Sequence, residues 1–381
     1  MVVGAGIFGV TAALELARRD WSVTLLDRGP VPHPDASSTD ISKMIRMDYG
    51  SDVFYHEFAE AALDGWERWN REWTRPLYHA AGFLVLADGP MRPGGFEYES
   101  FRVLRERGYE PERIGPDDLR RRYPAWSAEA YPDGYLSPRG GWAESGAVVG
   151  WLRDQAEAGG VRIRQVSPTV VDDGVHLETG ERLAPDHVVV CAGAWTPDLV
   201  PESAALLSSV AQPVLHFEVE PDAYRGAAFP PYAADIAGSG WYGFPALEDG
   251  RLKLGHHGPG RRVAPDERGS VSPDHVARAR DFFRSALPAL ADAPLVGSRV
   301  CMYCDSRDGD LLIDRLPGRQ DVTVAAGGSG HGFKFAPLLG AVIADAVEGR
   351  TNRWGARFHW RPPSDPRSEE ARLLLNGDPE A

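Results

Sequence analysis

Cysteine is scarce in this chain: Cys191, Cys301 and Cys304 are the only three among 381 residues. So small and odd a set cannot build a disulfide framework, which points to a reducing, cytoplasmic setting. Long apolar runs are missing too. No stretch approaches the roughly twenty apolar residues of a membrane-spanning helix, and the first residues show no charged-then-apolar leader. Basic charge is in deficit, with 41 Lys+Arg against 55 Asp+Glu and a formal net charge of -14. Nucleic acid and anionic membrane are therefore not expected partners, because phosphates need a basic face. Any cationic site must be local. There is no solenoid-period repeat, and no metal site is expected.

What the chain has is glycine at the right places. Val2-Val3 runs into Gly4-Ala5-Gly6-Ile7-Phe8-Gly9, then a helical pattern through Ala12, Ala13, Leu14 and Leu16, then Val23-Thr24-Leu25-Leu26-Asp27. Gly4 permits the tight turn, Gly6 leaves room for a pyrophosphate over the helix N-terminus, and Gly9 lets helix and strand approach. Asp27, about twenty residues on, suits a ribose hydroxyl. Strand, helix, strand and acid in register predict a dinucleotide site that does not by itself separate FAD from NAD. Only Met1-Val2-Val3 precede the turn, fewer than the usual five or six strand residues. A natural start a few residues upstream is expected.

The stretch from Asp35 to Gly50 reads as a long polar loop with two basic residues, Lys43 and Arg46, where a nicotinamide-type unit would usually enter another crossover helix. Residues 53–75 form an amphipathic helix whose aromatics, Phe58 and Trp66 among them, are core more readily than cofactor contacts. Helix is expected at 96–107, 116–124, 141–159, 273–287 and 338–347. Strand is expected at 82–86, 161–166, 169–171, 176–178, 188–191, 214–220, 241–245, 252–257 and 322–326. Val171 and Ala192-Gly193-Ala194-Trp195, the second strand-to-glycine junction, suit the same dinucleotide. The tail beyond Asn352, rich in Pro, Arg and Glu, is expected to be loosely ordered.

A third glycine junction follows Val322–Ala326: Gly327-Gly328-Ser329-Gly330-His331-Gly332-Phe333-Lys334-Phe335. Its backbone amides can approach a ligand, with His331 and Lys334 adding positive charge beside it. Upstream stands Cys301-Met302-Tyr303-Cys304. A lone cysteine after a strand is more often a small core residue than a reactive one.

Together, Gly4–Gly9 with Asp27, Ser37–Tyr49, Trp241–Pro245, Leu252–His257, Arg299–Tyr303 and Gly328–Phe335 resemble the D-amino-acid-oxidase-like flavoprotein superfamily. The likeness is to its sarcosine oxidase, N-methyltryptophan oxidase and fructosyl amino acid oxidase branch, and it covers nearly the whole chain. Ser37-Ser38-Thr39-Asp40-Ile41-Ser42-Lys43 looks more like the fructosyl amino acid and saccharopine oxidases. The resemblance implies FAD, attached covalently through the cysteine matching Cys301, with Cys304 the competing thiol and Cys191 core. It implies oxygen activation at Lys253, a substrate-carboxylate clamp of Arg46 and Lys334, and a pocket lined by Tyr242, Tyr303 and His257. Ser37, Ser38, Met302, Gly328, Gly330, His331 and Gly332 join the cofactor set. Lys43 departs from the pattern, since sarcosine oxidases have arginine there.

The expected architecture is α/β. A Rossmann-type FAD domain (1–50, 137–210 and 301–352) is interleaved with an α+β substrate domain on a mostly antiparallel sheet (51–136 and 211–300), followed by a tail from 353 to 381. The expected reaction oxidises the C–N bond of a secondary amine on an N-substituted amino acid, foremost a saccharopine-like lysine. Hydride passes to flavin N5, the imine hydrolyses, and O2 becomes hydrogen peroxide. N-methyl, N-fructosyl and cyclic imino acids are alternatives. An amine dehydrogenase with another acceptor and a non-catalytic flavin-binding subunit are rivals of a different class. The protein is expected as a monomer or small homo-oligomer.

Overall fold

The computed structural model describes residues 1–171, 174–367 and 369–373. Short, largely apolar and mostly β-branched runs are what strands buried on both faces require, and Val2–Val3, Val188–Val190 and the end of Arg319–Ala326 lie side by side in parallel. Among the described residues they belong to a six-stranded sheet in the order Leu312–Leu316, Arg319–Ala326, Val188–Val190, Val2–Val3, Thr24–Asp27, Arg162–Gln165. Only the first pair is antiparallel. Gly4 turns the chain at φ +94°, where a Cβ would stand 2.5 Å from the Cys191 carbonyl oxygen, and a Cβ on Gly9 would overlap the Gly4 carbonyl oxygen. Glycine at both positions lets helix Ile7–Arg18 begin directly against the sheet.

A nine-stranded, mostly antiparallel sheet forms the second body. Its longest pairing joins Leu207–Glu218 to Leu295–Ser306, so Cys301 lies within a strand of this larger sheet. Leu215, Phe217, Leu252, Leu254 and Phe283 fill the core between the sheet and helix Pro273–Ala286. Helix Val53–Glu72 buries Phe58 and Trp66. Phe58 stacks on Phe335 at 4.3 Å, and Trp66 Nε1 donates to the Lys334 carbonyl at 2.7 Å. These contacts fix the third glycine loop in place.

Three expectations are corrected. Residues 141–159 are not all helix: Gly141–Ala143 is a strand and Ser145–Ala158 the helix. Gly140 and Gly141 take φ +152° and +154°, which extends the chain so that Trp142 stacks on His79 at 4.1 Å. The 35–50 loop contains a strand, Lys43–Ile45, paired with Gly141–Ala143. The tail is packed in parts, with residues 362–367 exposed between them. Trp354, Phe358, Ala371 and Arg372 are buried, and its arginines meet carboxylates: Arg357 with Asp52, Arg361 with Asp308, Arg372 with Asp305. Among the described residues no helix is long and apolar enough to cross a membrane.

Candidate active site

A cavity of about 370 Å³ is lined from both sheets. One end lies just beyond the C-terminal ends of the parallel strands, where Gly4, Gly6, Ile7, Phe8, Asp27, Ala192, Gly193 and Trp195 all face it. This is where open α/β sheets take nucleotides. Gly6 starts the helix without a side-chain cap, and the first turn holds no acid, which leaves an electropositive terminus for a pyrophosphate. The Asp27 carboxylate is held by Ala5 N at 2.7 Å and Gly29 N at 3.0 Å. Ser38 Oγ accepts from Ile7 N at 3.2 Å, and Ser37 and Lys43 also line the wall. Gly328, Gly330, His331 and Gly332 close the opposite side. The residues present fit FAD. Gly9 works behind the wall, as a packing residue. Val171 ends the strand Pro168–Val171, and its side chain lies outside the described residues.

The other end is built from charged side chains. Arg46 and Lys334 both line it and flank Tyr49: the guanidinium lies 4.7 Å from the Tyr49 ring centre, and Lys334 Nζ donates to the Tyr49 hydroxyl at 2.9 Å. Lys334 also donates to the His331 carbonyl at 2.9 Å. His331 Nε2 lies 2.9 Å from the Gly309 carbonyl and Nδ1 3.0 Å from the Tyr49 hydroxyl. A neutral ring satisfies both, donating from Nε2 and accepting at Nδ1, and burial pushes His331 down to about 4. Burial, then the Arg46 charge, holds Lys334 well below the usual lysine range. Arg46 donates to the Asp48 carbonyl and pairs with Glu369 at 3.2 Å. Burial opposes its charge, but Glu369, Tyr49 and Asp48 keep it protonated. Burial raises Asp48 to about 6. His257, Tyr242 and Tyr303 line this region too.

Three residues expected at the cofactor sit behind the wall. Lys253 is fully buried and absent from the cavity lining. Its ammonium is taken by Asp40 at 2.6 Å and the Ser42 carbonyl at 2.7 Å. Burial lowers it to about 8, against the pull of Asp40. Asp40 also meets His216 at 3.2 Å and Lys43 at 3.7 Å, and Lys43 is the one of its two lysines that faces the cavity. Cys301 is buried with Val210, Val214 and Tyr303, its Sγ 4.0 Å from the carbonyl of Ser37, which does line the cavity. Met302 packs with Ala194, Ala211 and Val300; its carbonyl accepts from the Ser37 hydroxyl.

Sequence reasoning missed Glu369, which the tail brings against Arg46 and His257. It also missed Asp40 as the partner of Lys253, and the apolar wall of Phe83, Phe96, Ile236 and Phe244. No local periodicity marks any of these. Each acquires its place through strands or a tail far away in the chain.

A parallel sheet with a glycine turn and a carboxylate-tipped second strand, joined to an antiparallel sheet that closes over the same cavity, defines a flavin-dinucleotide oxidoreductase. The chain belongs to the DAO family, FAD dependent oxidoreductase, whose family model matches residues 1–346. It is 29% identical over 365 residues to monomeric sarcosine oxidase of Bacillus sp. (strain B-0618), covering 92% of each chain. It is 30% identical over 364 residues to N-methyl-L-tryptophan oxidase of Salmonella typhi, covering 92% of this chain and 95% of the relative. Among solved structures, fructosyl amine:oxygen oxidoreductase (Amadoriase I) of Aspergillus fumigatus superposes with TM-score 0.81 at 26% identity, over 98% of this chain and 92% of that one. The chain is thus an FAD-dependent enzyme of the amine oxidase type, acting on CH–NH donors.

Proposed function

We propose that the protein oxidises the C–N bond of a secondary amine carried by an N-substituted amino acid. The overall balance takes amine, O2 and water to a carbonyl compound, a shorter amine and hydrogen peroxide. The observation that carries this reading is the convergence of Arg46 and Lys334 on one wall of the cavity, either side of Tyr49. A planar guanidinium and a point charge together orient a carboxylate, and with it the C–H bond to be broken. Bound FAD supplies the two-electron acceptor and, once reduced, the donor to O2. The chain's own residues do the rest. Tyr49, His331 and the Gly309 carbonyl hold Lys334 in one direction. The cations at this end favour the neutral amine, the form from which hydride leaves. Phe83, Phe96, Ile236 and Phe244 exclude water.

That apolar wall favours a bulky N-substituent over a methyl group. On the likeness of the Ser37–Lys43 stretch, and not on that wall, a saccharopine-like substituted lysine is the substrate we put first; the N-methyl and fructosyl amino compounds in the relatives' names come next. We also propose a thioether from Cys301 to the flavin, supported by the proximity of its sulfur to the Ser37 segment of the cavity wall. Acid precipitation tests it. Flavin colour should stay with the wild-type pellet and leave with the supernatant in Cys301→Ala; colour in the supernatant of both discards the thioether.

The reaction is tested by mixing holoprotein anaerobically with N-substituted amino acids, admitting air and measuring peroxide. Bleaching, then recovery with one peroxide per amine consumed, is expected. A flavin that no amine bleaches would overturn the reading. The sequestration of Lys253 by Asp40 favours a second one, an amine dehydrogenase with a non-oxygen acceptor. Bleaching without recovery in air would select it.

A further inference from the structure

The tail segment that crosses the substrate end brings a carboxylate of its own. Glu369 Oε1 lies 2.7 Å from His257 Nε2 and 3.2 Å from Arg46 Nη2, and Oε2 lies 3.7 Å from His331 Nδ1. The Glu369 side chain is 5% exposed and that of Arg46 9%. The segment is anchored on both sides of this residue. Arg367 N donates to the Arg307 carbonyl at 2.5 Å, and Glu370 accepts from Ser51 N at 2.7 Å. Beyond it, Arg372 pairs with Asp305 at 2.7 Å and donates to the Gly258 carbonyl at 2.8 Å. Leu373 N donates to the His257 carbonyl at 3.1 Å. Contacts to several separate parts of the fold make Glu369 a fixed piece of the pocket wall.

We propose that Glu369 is a specificity-determining residue: it fills the carboxylate position at Arg46, so every substrate that brings a carboxylate there binds at a penalty. An incoming carboxylate either displaces Glu369 from Arg46 and His257 or settles beside a like charge, and buried carboxylates at close range do not both ionise freely. A neutral group at the same place, such as a carboxamide, meets no such repulsion. Lys334 spends two of its three donors on Tyr49 and the His331 carbonyl, which leaves one for a substrate oxygen and makes Arg46 the main seat of the competition. Burial opposes the charge at Glu369, and Arg46 with the His257 contact holds the carboxylate well below its usual range. The inference rests on Arg46 facing substrate, as in the reading above. It adds to that reading that the substrate carboxylate reaches Arg46 in competition with Glu369, so acids that bind there do so more weakly than the guanidinium alone would allow.

The test titrates flavin-loaded protein with acetate and with acetamide, following the flavin absorbance and the heat of binding, in wild type and Glu369→Gln. Acetate should bind the variant roughly tenfold tighter or more, while acetamide changes by less than about twofold. Acetate affinity that is unchanged, weaker or undetectable in the variant overturns the proposal. A chain ended after Asp365 provides a second variant should Glu369→Gln fail to fold, and it must show the same tightening. Neither readout needs turnover. A protein that oxidises no amine can still show the acetate effect, and an active amine oxidase can still lack it.

Discussion

At the dinucleotide end the cavity is walled by backbone, with Gly4, Gly6, Gly193 and Gly328 facing it, whereas at the substrate end it is walled by Arg46, His257, Lys334 and Glu369. The first kind of wall is made chiefly by close approach of backbone, with the helix terminus rather than a basic side chain supplying its positive end. The second is made by groups that each need a partner, so the removal of one strands another in a buried place. A change at the first end should therefore abolish the cofactor. A change at the second should keep the cofactor and alter chemistry or stability.

The largest effect is expected from Gly9→Ala, because the added methyl would overlap the Gly4 carbonyl oxygen behind the turn. Flavin absorbance per folded protein should fall to near zero. A full flavin complement would show that the turn has slack and would break the contrast. Next comes the pair behind the wall. Lys253→Met leaves Asp40 buried with Lys43 and His216 as its remaining side-chain partners and should cost about 3 kcal/mol in denaturant unfolding. Lys253→Met with Asp40→Asn should recover more than half of that. No recovery would mean that packing of the lysine stem, not charge pairing, holds this place.

The smallest effect sharpens the comparison from outside the cavity, where Asp235 stands with Asp88 and Glu97. Burial, then Asp88 and Glu97, raise Asp235 to about 7 from an ordinary value of 3.8. A carboxyl whose value is higher in the folded than in the unfolded chain favours folding while protonated, so its contribution is present below about pH 4 and lost as pH rises through about 7. Asp235→Asn removes that loss. Melting should rise by about 2–4 °C at pH 8, the size that solvent screening leaves for a half-buried group, and stay unchanged at pH 4. An equal shift at both pH values would point to the backbone at Asp235, which holds φ +47°.

How much of this was legible follows the same division. The turn Gly4–Gly9, Asp27 and the Gly328–Gly332 loop were readable because each lies within a few residues of its strand, so spacing carries geometry. The aromatic stripe of Val53–Glu72 was readable as core for the same reason. Arg46, Lys334, His257, Tyr242 and Tyr303 were reached through resemblance, and the cavity does bring them together. Glu369 was not readable. It sits in a Pro- and Arg-rich tail whose composition resembles a disordered end, and the pairs that order it join residues such as Arg372 and Asp305. Asp40 stands in a loop, and only the strand Arg251–His256, drawn in from over two hundred residues away, makes it the partner of Lys253. The Gly141–Ala143 strand was hidden by helix-forming neighbours until the two mirror-region glycines were seen to extend the chain.

The most direct test compares anaerobic flavin bleaching by an N-substituted amino acid in wild type and Arg46→Met, with flavin content measured in the same samples. The account predicts an undiminished flavin content in the variant and bleaching slowed by about a thousandfold, since the group that orients the substrate is gone while the backbone-built end is intact. Bleaching at the wild-type rate, or loss of the flavin itself, would contradict the division of the cavity into an end that holds the cofactor and an end that chooses the amine.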